Sequence, residues 1–288
     1  MKILVTGSNG QLGNELQVIS KAESGLEFIF TDLAELDITD EQAISLFFQK
    51  EKPDAVINCA AYTAVDKAEE DPGTANLING SAVGILARAA SFHNAIIIHI
   101  STDYVFDGKG HRPYSEDDQV NPVSAYAVSK LSGELAMLKH ARSGYILRTS
   151  WLYSSFGHNF VKTIIKYGKE RGRLNVVFDQ VGTPTYAYDL ALTIIAILKS
   201  GEKPTQTEIY HYSNEGVISW YDFAMSIIEL SGITCKIEPI ETKDYPLPAV
   251  RPFYSVFNKT KIKQRFGVEI PYWRDSLKAC LEKLIIDK

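Results

Sequence analysis

Through the first half of this chain, short runs of β-branched and aliphatic residues alternate with longer stretches whose apolar residues recur at helical spacing. The runs 2–6 (KILVT), 27–31 (EFIFT), 55–58 (AVIN), 95–100 (AIIIHI) and 145–148 (YILR) read as strands, each bounded by polar or glycine-containing turns. Between them, 11–21, 40–50, 72–92 and 124–140 read as amphipathic helices. Strand runs that lack strict alternation are expected to be buried on both faces. Strand–helix alternation then implies right-handed crossovers onto a parallel sheet, a doubly wound α/β domain.

After about residue 150 the regularity loosens. Helical patterns at 159–171, 186–200, 220–231 and 272–286 are separated by loops rich in Pro, Gly and Thr, among them TKDYPLPAVRP. The expected organisation is a sheet domain over 1–150, with part of 174–205 packed onto it, and a smaller, irregular lobe formed mainly by 151–288. That lobe is the natural cover for the crevice at the carboxyl ends of the strands. No internal repeat, low-complexity tract or evident linker separates the two.

Composition narrows the function classes. A chain of 288 residues with 45% hydrophobic and 23% charged residues carries a sizeable core and ordinary globular character. Its net charge of −5 offers no general footprint for nucleic acid or anionic membrane. Cys59, Cys235 and Cys280 form no C-x-x-C pair and are odd in number, so neither a disulfide framework nor a zinc site is expected. The opening apolar run ends after a few residues in glycine, too short for a signal peptide or membrane span. The expectation is a soluble cytoplasmic protein.

The first strand runs straight into GSNGQLG, with Gly7, Gly10 and Gly13 spaced G-x-x-G-x-x-G ahead of a helix. Glycines there permit a tight turn, close approach of backbone to a pyrophosphate and close helix–sheet contact, while helix N-terminal amides face the phosphates. This is a Rossmann-type dinucleotide site with an altered spacing; a plain structural turn is the alternative. Asp32 ends the second strand, where a carboxylate accepts hydrogen bonds from the adenosine ribose, and TDLAELDITD holds no Lys or Arg to neutralise a 2′-phosphate. The balance favours NADH over NADPH, with a loop acid or helix cap as the bland reading of Asp32. Asp37 and Ile38 lie just downstream, at the expected adenine border.

In SAYAVSKLSGE, Tyr126 and Lys130 are four apart on an expected helix and share one face. The pair alone decides little. It follows IIIHISTDYVF, however, whose strand end brings Ser101, Thr102 and Asp103 toward the same crevice. A nearby ammonium stabilises a phenolate, and a phenol tuned in this way suits a general acid for carbonyl reduction. Strand-end hydrogen bonds and a turn are the ordinary alternatives for Ser101, Thr102 and Asp103.

Together the glycine loop, the second-strand acid, the Ser/Thr position and Y-x-x-x-K resemble the extended short-chain dehydrogenase/reductase family. More narrowly, GSNGQLGNEL, AAYTAVDKAE, STDYVFDG, YAVSKLSGE, RTSWLY, DQVGTPT, SWYDFA and YPLPAVRP resemble, in order and up to about residue 257, the dTDP-4-dehydrorhamnose reductase branch of that family. The resemblance implies NADH- or NADPH-dependent reduction of the C4 keto group of dTDP-6-deoxy-L-lyxo-4-hexulose to dTDP-L-rhamnose, the last step of dTDP-rhamnose biosynthesis. It implies that Gly10, Gln11 and Leu12, Asp32, Asp37 and Ile38, and Ala61, Tyr62 and Thr63 surround the dinucleotide. Tyr126, Lys130 and Thr102 would be catalytic, with Thr102, Asp103 and Trp151 at the sugar and Arg251 at the nucleotide diphosphate.

Trp151 reads equally well as core, Arg251 as a surface ion pair, and Cys59 as a buried small residue. In RPFYSVFN, Phe253 and Tyr254 depart from the family's usual small polar run. Some relatives form dimers bridged by a magnesium ion between acidic residues. Glu15 matches one such acid, the other ligands are not found, and no metal is assigned. Two further readings fit the same fold: another nucleotide-sugar reductase or epimerase, and a non-catalytic subunit resembling the regulatory partner of methionine adenosyltransferase.

Overall fold

A computed structural model describes residues 1–286. In chain order its elements are β1 (Lys2–Thr6), α1 (Gln11–Ser20), β2 (Glu27–Thr31), α2 (Glu41–Glu51), β3 (Ala55–Asn58), α3 (Val65–Glu70), α4 (Pro72–Asn76), a π-helical turn (Leu77–Ser81), α5 (Ala82–Phe92), β4 (Ile96–Thr102), α6 (Ala125–His140) and β5 (Gly144–Thr149). There follow β6 (Leu152–Tyr153), α7 (Phe160–Arg171), β7 (Arg173–Val177), β8 (Val181–Gly182), β9 (Thr185–Tyr186), α8 (Ala187–Lys199), β10 (Thr207–Tyr212), β11 (Ile218–Ser219), α9 (Trp220–Ser231), β12 (Lys236–Ile240), α10 (Thr260–Phe266) and α11 (Trp273–Ile286).

Six strands form one parallel sheet in the order β10-β5-β4-β3-β1-β2. The doubly wound expectation from the strand and helix pattern holds. Successive residues of a strand face opposite sides, and the two cores follow that rule. Ile3, Val5, Ile57 and Leu147 pack with Leu16 of α1 and Leu190 and Ile194 of α8 on one face. Leu4, Val56, Ile97 and Ile146 pack with Phe48 of α2, Leu86 of α5 and Met137 of α6 on the other. Helices on both faces explain why these strands read as unbroken apolar runs.

The strand order reverses between β1 and β3, so the loops after them part and leave a crevice at the strands' carboxyl ends. A third core, built from Tyr153, Val161, Phe223, Ile227, Trp273 and Leu277, holds α7, α9 and α11 together as a second lobe beside it. Three two-stranded pairs, β11-β8, β12-β7 and β6-β9, brace that lobe.

Three details differ from the sequence reading. The sixth strand comes from β10, in the chain's second half, where Tyr210 and Tyr212 enter the first core. Its alternation of Glu, Ile, Tyr and His hid it. β4 runs two residues further than the apolar run, because its ladder with β5 continues through Ser101 opposite Arg148 and Thr102 opposite Thr149. The expected single helix over 72–92 is broken into α4, the π turn and α5. Asn79 in that turn sends its side chain out to the backbone of Tyr62, accepting from its N–H at 2.8 Å and donating to its C=O at 3.0 Å.

Candidate active site

The glycine loop closes β1 onto α1. Gly7 has φ +66° and lies so near the chain after β3 that a Cβ would fall 2.5 Å from the Ala60 nitrogen. A Cβ on Gly13 would fall 2.5 Å from the Ser8 backbone, so the helix could not sit where it does with any other residue there. Gly10 is different: it is the N-cap of α1, makes no side-chain cap, and leaves the first amides of the helix open toward the crevice. Open helix-terminal amides and a loop without side chains fit a pyrophosphate. Leu12 and Ile38, by contrast, turn their side chains into the two cores, so only their backbone is available to a ligand.

Asp32 stands at the end of β2 with both oxygens in use: one accepts from the Asn9 amide at 2.9 Å and the other from the Leu33 amide at 2.8 Å. It therefore ties the glycine loop to β2. Asp37 accepts from the Thr39 amide and hydroxyl at 2.8 and 2.7 Å. Ala61 and Tyr62 are half-buried and Thr63 is exposed in the loop after β3. Asn79 clamps that loop and also donates to the Ser129 hydroxyl of α6 at 2.9 Å. Gly133 of α6 makes this approach possible, since a Cβ there would lie 2.1 Å from the Asn79 carbonyl oxygen. Asn79 thus links the loop after β3 to the Tyr126 helix, and its signal in the sequence is a polar residue inside an apolar helical pattern.

Ser124 caps α6, accepting from the Ala127 amide at 3.2 Å, which sets Tyr126 and Lys130 in its first two turns. Lys130 is buried and donates to the Ile100 carbonyl of β4 at 2.6 Å. Burial lowers its ammonium to about 8, with the charge of Glu134 opposing that fall. Tyr126 is half-buried, with Tyr104 edge-on at a ring separation of 5.7 Å. Burial pushes its phenol up to about 12, and a hydrogen bond with Thr102 opposes the rise. The Thr102 hydroxyl also donates to Asp103 at 3.0 Å. Asp103 is buried, one of its oxygens has no partner, and burial raises its carboxyl to about 7. Cys59, pushed by burial to about 12, is no nucleophile.

The second lobe closes the other side. Trp151 is half-exposed, stands in the left-handed region at φ 47°, and stacks on Trp220 with ring centroids 3.7 Å apart. Gly182 makes room for it, since a Cβ there would fall 2.8 Å from the Trp151 ring. A cavity of about 1080 Å³ opens here, lined among others by Tyr104, Tyr167, Gln180, Trp220, Arg251 and Phe253. Its size suits a sugar nucleotide rather than a bare sugar. Arg251 is held by Asp66 of α3, and Asn159 of α7 donates to Gln11 of α1 at 2.9 Å, so both lobes meet at the crevice.

Glu15 does not fit a metal site. It is fully buried, accepts from the Ser154 hydroxyl at 2.7 Å, and has the Lys283 ammonium 3.6 Å from its other oxygen. That ammonium lies 3.8 Å over the Tyr188 ring. A cation is thus already built in, and no group of three or more His, Cys, Asp or Glu that could hold a metal ion occurs among the described residues. Nor is any described helix long and apolar enough to cross a membrane.

Comparison with known proteins agrees with this geometry. Residues 1–286 match the family described as the RmlD substrate binding domain. A dTDP-4-dehydrorhamnose reductase of Aggregatibacter actinomycetemcomitans is 40% identical over 96% of this chain and 97% of its own. The crystal structure of a dTDP-4-dehydrorhamnose reductase from Clostridium acetobutylicum superposes with a TM-score of 0.94 at 45% identity, covering 99% of this chain and 100% of that one. A Bacillus anthracis dTDP-4-dehydrorhamnose reductase, solved in complex with NADP, gives 0.92 at 35% identity, covering 100% and 99%. The glycine loop, the Tyr126–Lys130 helix and the covering lobe, matched over nearly their whole length, make this chain a member of the dTDP-4-dehydrorhamnose reductase family.

Proposed function

We propose that this protein reduces the C4 keto group of dTDP-6-deoxy-L-lyxo-4-hexulose to give dTDP-L-rhamnose. The reading is supported by the hydrogen bond of Tyr126 with Thr102, by Lys130 held at the end of β4 one turn along the same helix, and by the cavity that Tyr104, edge-on to Tyr126, helps to line. Gly10, Gln11 and Leu12 offer backbone to the pyrophosphate, Asp32 the ribose-side carboxylate, and Lys130 an ammonium for the nicotinamide ribose. When bound, NADH or NADPH supplies the hydride for C4.

Tyr126 holds its proton at neutral pH, because burial keeps its phenol high. It gives that proton to the oxygen on which negative charge develops at C4, and Thr102 orients the phenol. Asp103 and Trp151 flank the sugar, and Arg251 reaches the diphosphate. Lobe contacts at Gln11–Asn159 and Asp66–Arg251 narrow the route for water into the crevice.

Loss of NADH or NADPH absorbance on adding the ketosugar nucleotide, with one equivalent of dTDP-L-rhamnose formed, tests the reading. Tyr126→Phe should bind cofactor normally while losing roughly 10²- to 10⁴-fold in rate. A near-normal rate in that variant would remove Tyr126 from the mechanism, and absence of net oxidation in the parent would point to another reaction on the same fold.

A further inference from the structure

Under the end of β4 lies a charged pair that the mechanism above does not use. Glu134 of α6 and Arg148 of β5 are 1% and 3% exposed. The Arg148 guanidinium donates to Glu134 Oε1 at 2.9 Å and Oε2 at 2.7 Å. Ser101, opposite Arg148 in the ladder, donates its hydroxyl to the same Oε1 at 2.5 Å. His211 of β10 flanks Arg148 at 3.5 Å and is held neutral by burial, and the guanidinium lies over Phe106 at 5.2 Å. A buried ion pair of this kind is a weak source of stability, since apolar residues of equal volume often serve as well. What its charge faces is therefore the informative question.

It faces Lys130. Glu134 is one helical turn further along α6, so the two side chains share a face. Three successive β4 residues meet that face. Ile100 accepts from Lys130, Ser101 donates to Glu134, and Thr102 hydrogen-bonds Tyr126. From the other packed elements, the Cys59 thiol after β3 and the His99 ring on β4 also lie within electrostatic reach of Lys130, and burial keeps both uncharged at neutral pH. Glu134 supplies the negative charge that opposes the burial of the ammonium.

We propose that Glu134, locked by Arg148 and Ser101, is the positioning residue for Lys130, keeping charged the ammonium that the Ile100 carbonyl holds at the end of β4. The proposal rests on the role given to Lys130 above. Its chemistry is electrostatic: an anion pinned by two partners cannot swing away, so Lys130 keeps its charge in a site that disfavours it.

The experiment compares the parent chain with Glu134→Gln, Glu134→Asp and the double variant Glu134→Gln/Arg148→Met, which leaves no uncompensated buried cation should the single variant fold poorly. Two profiles are read against pH: NADH affinity by fluorescence, which needs no ketosugar, and kcat/KM for ketosugar reduction. In the parent both should fall on an alkaline limb near 8, the value at which Lys130 discharges. Glu134→Gln should move that limb down by about one pH unit, the usual scale for a nearby opposite charge, and the double variant, which removes the Arg148 charge as well, should move it down by less. Glu134→Asp should restore it. A limb that stays in place in every folded neutral variant, with a uniform loss of rate, overturns the proposal and leaves Glu134 a structural residue. If the parent fails to oxidise NADH with the ketosugar, the functional reading fails while the NADH-affinity arm still decides Glu134.

Discussion

Arg251 reaches across 185 residues of sequence to grip Asp66, its guanidinium donating to the two carboxylate oxygens at 3.1 and 2.7 Å. The same carboxylate accepts from the Ala249 amide at 3.1 Å and is held below the ordinary range, chiefly by the Arg251 contact. An ion pair this exposed contributes little to stability. Its effect is to fasten the loop before Arg251 to the start of α3, beside the cavity that Arg251 and Ala249 line. If Arg251 also meets the diphosphate, Arg251→Ala should raise KM for the sugar nucleotide about 10- to 100-fold beyond Asp66→Ala, the span expected for a charged hydrogen bond. Equal KM values in the two variants, measured by steady-state kinetics, would reduce Arg251 to a fastener.

Trp151 rests on Trp220, which lines the cavity, and is itself half-exposed rather than part of a core. Trp151→Ala should raise KM for the sugar nucleotide about 3- to 10-fold, the scale of one aromatic contact. NADH affinity should hardly change. Thermal melting run alongside distinguishes this from unfolding, the outcome a core residue would give.

Asp103 makes stability depend on pH in an unusual direction. Its carboxyl titrates near 7 in the folded chain against an ordinary 3.8, because it is buried. Between those values the folded state binds more protons than the unfolded one, so stability falls as pH rises through that window. Asp103→Asn should remove roughly 2–4 kcal/mol of that slope. The variant should melt higher than the parent at pH 8 and alongside it at pH 4, while losing activity. Parallel melting curves across that range would mean that Asp103 is solvated and ionised throughout.

The Glu15–Lys283 pair argues against a metal ion at the first helix. With an ammonium beside the buried carboxylate, EDTA or added magnesium should leave both melting temperature and elution volume unchanged. Lys283→Ala should cost about 1 kcal/mol at pH 8, since the pair is partly exposed on the lysine side, and less as the pH falls, because burial raises the Glu15 carboxyl above its ordinary range. A melting temperature that drops in EDTA and recovers with magnesium would contradict this arrangement.

Much of this was legible because each signal was local. The β1 run, the glycines and the Tyr126–Lys130 spacing are set by the geometry of one strand, one turn and one helix, and the sheet order follows from crossovers of fixed hand. What escaped the sequence was long-range. Nothing near TEIYHY says that β10 pairs with β5, and nothing near Asn79 says that its amide will bridge Tyr62 and Ser129. Nothing within SKLSGE says that Glu134 will meet Arg148 and Ser101 from neighbouring strands. Likewise Lys283, close to the end of the described chain, answers a carboxylate in the first helix.

The Asp32 oxygens already hold the Asn9 and Leu33 amides. If Asp32 also meets the ribose, as proposed above, its carboxylate accepts from a 2′-hydroxyl and repels a 2′-phosphate, which favours NADH; the Bacillus anthracis relative was solved with NADP. The proposed discriminating role is then to be separated from that of holding the loop. Asp32→Ser keeps an acceptor for the loop but removes the charge. It should lower KM for NADPH relative to NADH by about one to two decades, the worth of a charged-group hydrogen bond of roughly 1.5–3 kcal/mol. Asp32→Ala should show the same change of ratio together with a rise in both KM values, because the Asn9 amide then loses its acceptor. Steady-state kinetics with both cofactors separates the roles: if the two constants move by one common factor in both variants, Asp32 only holds the glycine loop and the preference lies elsewhere.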